Sequence, residues 1–236
     1  MAYEVRGLEK SFGSIPVLDG LDLVFPAGSI TVVLGPSGCG KTTLLNVLSG
    51  LDDDYSGQVT GFGRGKVSYV FQEDRLLPWL SAMDNVAFVL GNMKEAGAAR
   101  SAALEALEKV GLSAAAGMRP DAMSGGMRRR VALARAFAYP SEVLLLDEPF
   151  SSLDLKTRIS VMDLFVDLRA RDGRSAVVVT HDVREAIYLG DRIATLSDRP
   201  ARIRDIIDLG LDRKQRSYTS DAAAEMEAKL YASILS

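Results

Sequence analysis

Gly35-Pro36-Ser37-Gly38-Cys39-Gly40-Lys41-Thr42-Thr43 is the stretch that most limits what this chain can fold into. An apolar run, Ile30-Thr31-Val32-Val33-Leu34, precedes it, and a run of helical character, Leu44-Leu45-Asn46-Val47-Leu48, follows. The order is strand, glycine-rich turn, helix. Gly35, Gly40, Lys41 and Thr42 fit the phosphate-binding pattern in the context that gives that pattern meaning. Glycines let backbone N–H groups turn inward as a nest for phosphate oxygens. A helix starting near Lys41 adds uncovered N–H groups and the positive end of its dipole. Lys41 is expected to reach the outer phosphates, and the Thr42 hydroxyl to ligate Mg²⁺. The plain alternative is a turn that merely needs glycine, and the flanking strand and helix argue against it. By itself the loop points to a nucleotide and no further, because kinases, GTPases and motors share it.

Composition narrows the setting. A chain of 236 residues suits one large domain, or a domain with an inserted lobe. No apolar run approaches the ~18 residues that span a bilayer. Glu4, Arg6, Glu9 and Lys10 leave no apolar core for a signal peptide. Cys39 is the sole cysteine, which rules out an intrachain disulfide and suits a reducing cytosol. A net charge of −3 argues against a nucleic-acid-binding surface. Membrane association is therefore expected to run through a protein partner.

Along the chain, Tyr3 to Phe25 reads as antiparallel strands, with Leu18, Leu21, Leu23 and Phe25 spaced for one buried face. Phe12 stands at a strand-to-turn site, and spacing alone makes it a half-buried strand aromatic. Asp52-Asp53-Asp54 lacks the glycine and terminal glutamate of a calcium loop and reads as a solvated loop. Gln72 ends a strand over 66–71, and Glu73 to Trp79 combines charges, Pro78 and the single tryptophan. From Asp84 to about Gly111 the pattern is helical, with Leu104, Leu107 and Val110 at helical spacing. Residues from about 73 to 139 therefore suit a helical lobe inserted into an α/β domain. Its last helix follows Ser124-Gly125-Gly126, where Ser124 can cap and the glycines leave N–H groups uncovered, a second potential anion site. At least two of Arg128, Arg129 and Arg130 read as a solvated helix face.

Val143-Leu144-Leu145-Leu146 is a continuous apolar run, as in a strand buried on both faces, and it ends in Asp147-Glu148. Beside a phosphate loop, these acids suggest a Mg²⁺-organising aspartate and a neighbour that acts on water. Ser151 to Asp154 leads into a helix to about Arg171. Ser175 to Thr180 is another buried strand, and His181, the single histidine, stands at its carboxyl end. Open α/β sheets place ligand residues there. Asp182 and Glu185 can cap the next helix. Arg192 to Ser197 and Arg202 to Leu209 suit a terminal β pair, and residues 221 to 235 a short amphipathic helix. A tail is taken to begin at about 210.

Together these pieces resemble the ATP-binding-cassette ATPases over nearly the whole chain. Gly35 to Thr43 matches Walker A, Gln72 the Q-loop, Ser124 to Met127 the signature, and Val143 to Glu148 Walker B. Ser151 to Asp154 matches the D-loop and His181 the switch histidine. A narrower resemblance, carried by 72–79, by Asp147 to Phe150 and by 196–203, points to ATPase subunits of nitrate/sulfonate/taurine-type importers, a group that also handles thiamine precursors. Met127 departs from the usual signature glutamine and Met123 from the usual leucine. Cys39 inside the loop is expected to sensitise the site to alkylation.

The resemblance implies a P-loop NTPase, α/β in class. It has a RecA-like mixed-sheet core, an N-terminal antiparallel β subdomain and an inserted helical subdomain, forming one nucleotide-binding domain over 1–236. It implies ATP stacked on Phe12 and held by Gly35, Pro36, Ser37, Gly38, Cys39, Gly40, Lys41, Thr42 and Thr43. Ser124, Gly125, Gly126 and Asp154 of a second, head-to-tail copy complete the site. Thr42, Gln72 and Asp147 would organise Mg²⁺, Glu148 would polarise water, and His181 would contact the γ-phosphate. The expected partners are a second copy, a membrane permease meeting Gln72 to Trp79, and a separate solute-binding protein, without nucleic acid. The chain would sit peripherally on the cytoplasmic face of the membrane. One rival is a soluble cassette ATPase acting on nucleic acid, which predicts basic surfaces or long coiled coils. The other is a regulatory cassette without turnover, which predicts loss of Glu148 or His181.

Overall fold

The computed structural model describes residues 3–91 and 93–235. The chain groups into two compact units. The first takes residues 1–67, 142–148 and 174–236, and the second takes 68–141 and 149–173.

The first unit carries two sheets. In one, β1 (Tyr3–Phe12), β2 (Ile15–Phe25) and β4 (Ser56–Thr60) lie in the order β2-β1-β4, antiparallel throughout. Leu18, Leu21, Leu23 and Phe25 are all buried, as their spacing predicts. In the other, β6 (Val143–Asp147), β7 (Ser175–Thr180), β3 (Ile30–Leu34), β8 (Arg192–Leu196) and β9 (Ile203–Asp208) are neighbours in that order. The first four run parallel, and β9 returns antiparallel at the edge. Strands β3, β6 and β7 are buried at every residue, which is why they read as unbroken apolar runs. Helices α1 (Lys41–Ser49), α6 (Val183–Leu189) and α7 (Asp221–Leu235) belong to the same unit. Helix α7 is tied down by a fork between Arg184 and Glu227, both N···O distances 3.1 Å, and by buried Leu230.

This topology positions chemistry. Parallel neighbours put their carboxyl ends on one edge of the sheet. Leu34 pairs with Thr180, and Asp147 with Val179, so the segments after β3, β6 and β7 emerge side by side.

Strand β5 (Val67–Val70) carries the chain toward the second unit, which holds α2 (Ala82–Phe88), α3 (Ala96–Lys109), α4 (Gly125–Ala138) and α5 (Leu155–Asp172). Its core gathers Ala82, Val86, Ala103, Leu107 and Val131. The helical run expected from Asp84 to Gly111 is two helices, because the chain turns after Phe88 and restarts at the Glu95 cap. Helix α3 turns Ala99, Ala103, Ala106 and Leu107 inward. That phase leaves Leu104 on the outside at 44% exposure, against the expectation from spacing. No helix among the described residues is long and apolar enough to cross a membrane.

Candidate functional site

The loop after β3 folds as its glycines require. Gly40 sits at φ 123°, and a Cβ there would come within 2.9 Å of both Val17 and Leu18. Gly40 stands at the N-cap of α1 and offers no side chain to cap it, which leaves first-turn N–H groups directed at the loop. Lys41 is buried, and its ammonium donates to the carbonyls of Gly35 at 2.9 Å and Pro36 at 2.8 Å. It lies 3.6 Å from a Glu148 carboxylate oxygen. The Thr42 hydroxyl donates to Asp147 Oδ1 at 3.2 Å. The other Glu148 oxygen lies 3.1 Å from His181 Nδ1.

Glu148 is held in an uncommon backbone conformation. Its φ is 40°, the left-handed region that costs a non-glycine residue about 1–3 kcal/mol. Its N–H donates to the Val179 carbonyl at 3.0 Å. Leaving β6 through this conformation swings the Glu148 side chain toward Lys41 and His181, while Asp147 stays with Thr42. Five side chains from three strand ends thus form one cluster. It holds a cation, hard oxygen donors suited to Mg²⁺, and a carboxylate–histidine pair. Asp147 and the Thr42 hydroxyl fit a divalent ion by donor type and proximity. Among the described residues, no group of three or more Asp, Glu, His or Cys residues suits a metal by itself.

Cys39 differs from expectation. It is 2% exposed, and burial pushes its thiol up, with the Lys41 charge opposing. The thiolate is the reactive form. Iodoacetamide should therefore leave Cys39 unmodified by intact mass while fully alkylating an exposed model thiol in the same tube. Rapid carboxamidomethylation with loss of ATPase would contradict this.

Of the remaining predicted residues, Phe12 lies in the first unit and Gln72, Ser124, Gly125, Gly126 and Asp154 lie in the second. Ser124 caps α4, accepting from the Met127 N–H at 3.3 Å, and Asp154 caps α5, accepting from the Thr157 N–H at 3.1 Å. The two caps share a neighbourhood: a Cβ on Gly126 would meet Thr157 at 2.6 Å, and one on Gly125 would lie 3.8 Å from Leu153. Gln72 exposes its side chain, while its carbonyl accepts from Arg129. Phe12 stands at the end of β1, 54% exposed.

Several residues escaped the sequence reading. Within the arginine run, Arg129 is the one that leaves the solvated face, while Arg128 keeps 39% side-chain exposure. Arg129 is 1% exposed and also binds the Phe71 carbonyl at 2.7 Å. Arg128 binds the Met123 carbonyl, and Arg130 the Ser160 hydroxyl. Arg199 donates to the Gly38 carbonyl at 2.7 Å, fastening the crest of the phosphate loop. Asn85, 1% exposed, donates to the carbonyls of Leu77, Leu80 and Ser81, which pins the turn that displays Trp79 at 66% exposure.

A family model for ABC transporters matches residues 18–151. An aliphatic sulfonates import ATP-binding protein, SsuB 1, of Pseudomonas syringae pv. syringae is 43% identical over 208 residues, covering 88% of this chain and 86% of that protein. An SsuB of Rhodopseudomonas palustris is 41% identical over 228 residues, covering 95% and 80%. A dimeric ATP-binding cassette solved in a post-hydrolysis state with ADP and Pi superposes with a TM-score of 0.76. It is 29% identical, over 89% of this chain and all of that one. The chain belongs to the ABC transporter family. It is an ATP-binding cassette, the class of subunit that hydrolyses ATP for transport.

Proposed function

We propose that this chain is the ATPase subunit of an importer for small sulfonates, acting as an ATP-bound dimer on a membrane permease. The observation that carries the reading is the convergence of Lys41, Thr42, Asp147, Glu148 and His181 at one sheet edge. Lys41 and the loop amides bind the phosphates, and Asp147 with Thr42 would hold Mg²⁺. The ion, when bound, neutralises phosphate charge. Glu148 orients the attacking water and accepts its proton, and His181 fixes the Glu148 carboxylate and meets the γ-phosphate. Such chemistry is mainly positioning and electrostatics. Ser124, Gly125 and Gly126 of a second copy close over the nucleotide, with Asp154 beside them. This dimer closure is the step that does mechanical work, by favouring one of two states.

The solute class comes from the sulfonate importers that this chain resembles along most of its length. The permease contact is assigned to the pinned turn with exposed Trp79 and half-buried Leu77, since an exposed aromatic on a rigid turn suits an interface anchor. It would place the chain peripherally on the cytoplasmic face. Tagged chain purified from membranes should bring down a permease, and the receptor that serves that permease should bind a short alkanesulfonate. Changing Leu77 and Trp79 to serine should remove the permease without altering circular dichroism. Undiminished recovery of the permease would refute the contact, and a receptor blind to sulfonates would refute the solute class.

A further inference from the structure

Asp52-Asp53-Asp54 has no part in the phosphate chemistry, yet two of its residues converge on one buried lysine. Lys10 is 4% exposed. Its ammonium donates to Asp52 Oδ1 at 2.8 Å, to Asp54 Oδ2 at 3.2 Å, and to the Asp54 carbonyl. The run is a loop with Asp53 and Asp54 exposed, as its sequence suggests, and it also grips this lysine. The Asp52 hydrogen bond holds the Lys10 ammonium above the usual lysine range, with burial opposing, so it stays a cation at every working pH.

That cation lies 4.8 Å from the centroid of the Phe12 ring. A buried ammonium thus supports a ring that is itself 54% exposed. One face of the ring has a partner, and more than half of the side chain remains available. A cation over a ring is attracted to its π-electrons and favours one ring orientation. Drawing π-density toward one face also suits stacking of an electron-rich base on the other.

The clamp traces back to the phosphate loop. Leu51 and Asp52 donate backbone N–H groups to the Asn46 carbonyl at 2.9 and 3.2 Å, and Gly50 ends α1 in the left-handed conformation at φ 72°. The helix that presents Lys41 and Thr42 at its start thus fixes, just past its end, the acid that grips Lys10.

We propose that Lys10 is a positioning residue for the nucleotide base: clamped by Asp52 and Asp54, it holds the Phe12 ring from one face so that the other is presented to adenine. The proposal rests on the reading that Phe12 stacks on the base. It differs from a purely structural tie between β1 and the loop after α1 because its effect on binding must pass through Phe12. It must also touch the base and spare the phosphates.

Calorimetry on the full chain separates these cases, with MgATP and with magnesium tripolyphosphate, which keeps the phosphates and lacks a base. Lys10→Met keeps the apolar stem and removes the charge. It should raise the Kd for ATP about 3–10-fold, leave tripolyphosphate unchanged, and add nothing in a Phe12→Ala background. Lys10→Arg should restore near-parental affinity. Equal weakening of both ligands, an effect that persists beside Phe12→Ala, or no effect while Phe12→Ala weakens ATP would each overturn the proposal. Parental ATP affinity in Phe12→Ala would instead overturn the stacking reading, and the proposal with it. If Lys10→Met does not fold, Asp52→Asn replaces it in the same cycle. The same pattern is then expected at smaller size, and parental ATP affinity would count against the clamp.

Discussion

Glu148→Gln is expected to lower ATP turnover by about 10²–10⁴-fold, the usual consequence of losing a general base, while ATP binding survives. The substitution keeps the shape and the hydrogen-bonding reach of the side chain and removes only its charge. Binding survives because the loop amides, Lys41, Thr42 and Asp147 are untouched. The geometry explains why the effect should be this large. Glu148 faces both Lys41, at 3.6 Å, and His181, at 3.1 Å. It is placed there by a backbone conformation that the protein holds at a cost. Steady-state phosphate release, with calorimetry for ATP affinity, separates the two quantities. Parental turnover in Glu148→Gln would remove this residue from the chemistry.

Lys41→Ala is expected to weaken ATP binding roughly 30-fold or more, the consequence of removing a buried charged partner worth at least about 2 kcal/mol. The ammonium is buried and already directed by the Gly35 and Pro36 carbonyls, so no mobile surface charge can replace it. Lys41→Ala also removes the donor that holds those two carbonyls. Losing that tie on the loop adds to the loss of charge. Unchanged nucleotide affinity by calorimetry, in a protein with parental circular dichroism, would contradict this role.

The placement of these two residues was legible in the sequence because the signals for it are local. A strand, a glycine-rich turn and a helix announce Lys41 and Thr42 within a few residues. The unbroken apolar run from Val143 to Leu146 announces a doubly buried strand, and the acids follow at its end. His181 was readable for the same reason, as the residue after a buried strand. The antiparallel pairing of β1 with β2 and the buried face of Leu18, Leu21, Leu23 and Phe25 also followed from alternation.

What stayed hidden is what depends on long-range pairing. Arg199 reaches Gly38 across 161 positions, and no local pattern marks an arginine bound to a carbonyl. Lys10 and Asp52 are 42 positions apart, and each reads as an ordinary solvated charge. The arginines of α4 look the same in sequence whether they face water or carbonyl groups. Leu104 failed differently. Its spacing with Leu107 and Val110 is helical, but alanines at 99, 103 and 106 set the buried face, and small residues carry little signal in an alanine-rich helix.

The central claim is that ATP is held between two copies and that hydrolysis releases them. Light scattering on Glu148→Gln, with and without MgATP, tests it most directly. With binding intact and hydrolysis blocked, the protein should double its mass when MgATP is added and return to a single copy when nucleotide is removed. Adding Ser124→Arg should abolish the doubling, because the cap of α4 must approach the nucleotide of the other copy. A mass indifferent to MgATP, or a dimer that persists with Ser124→Arg, would contradict the account.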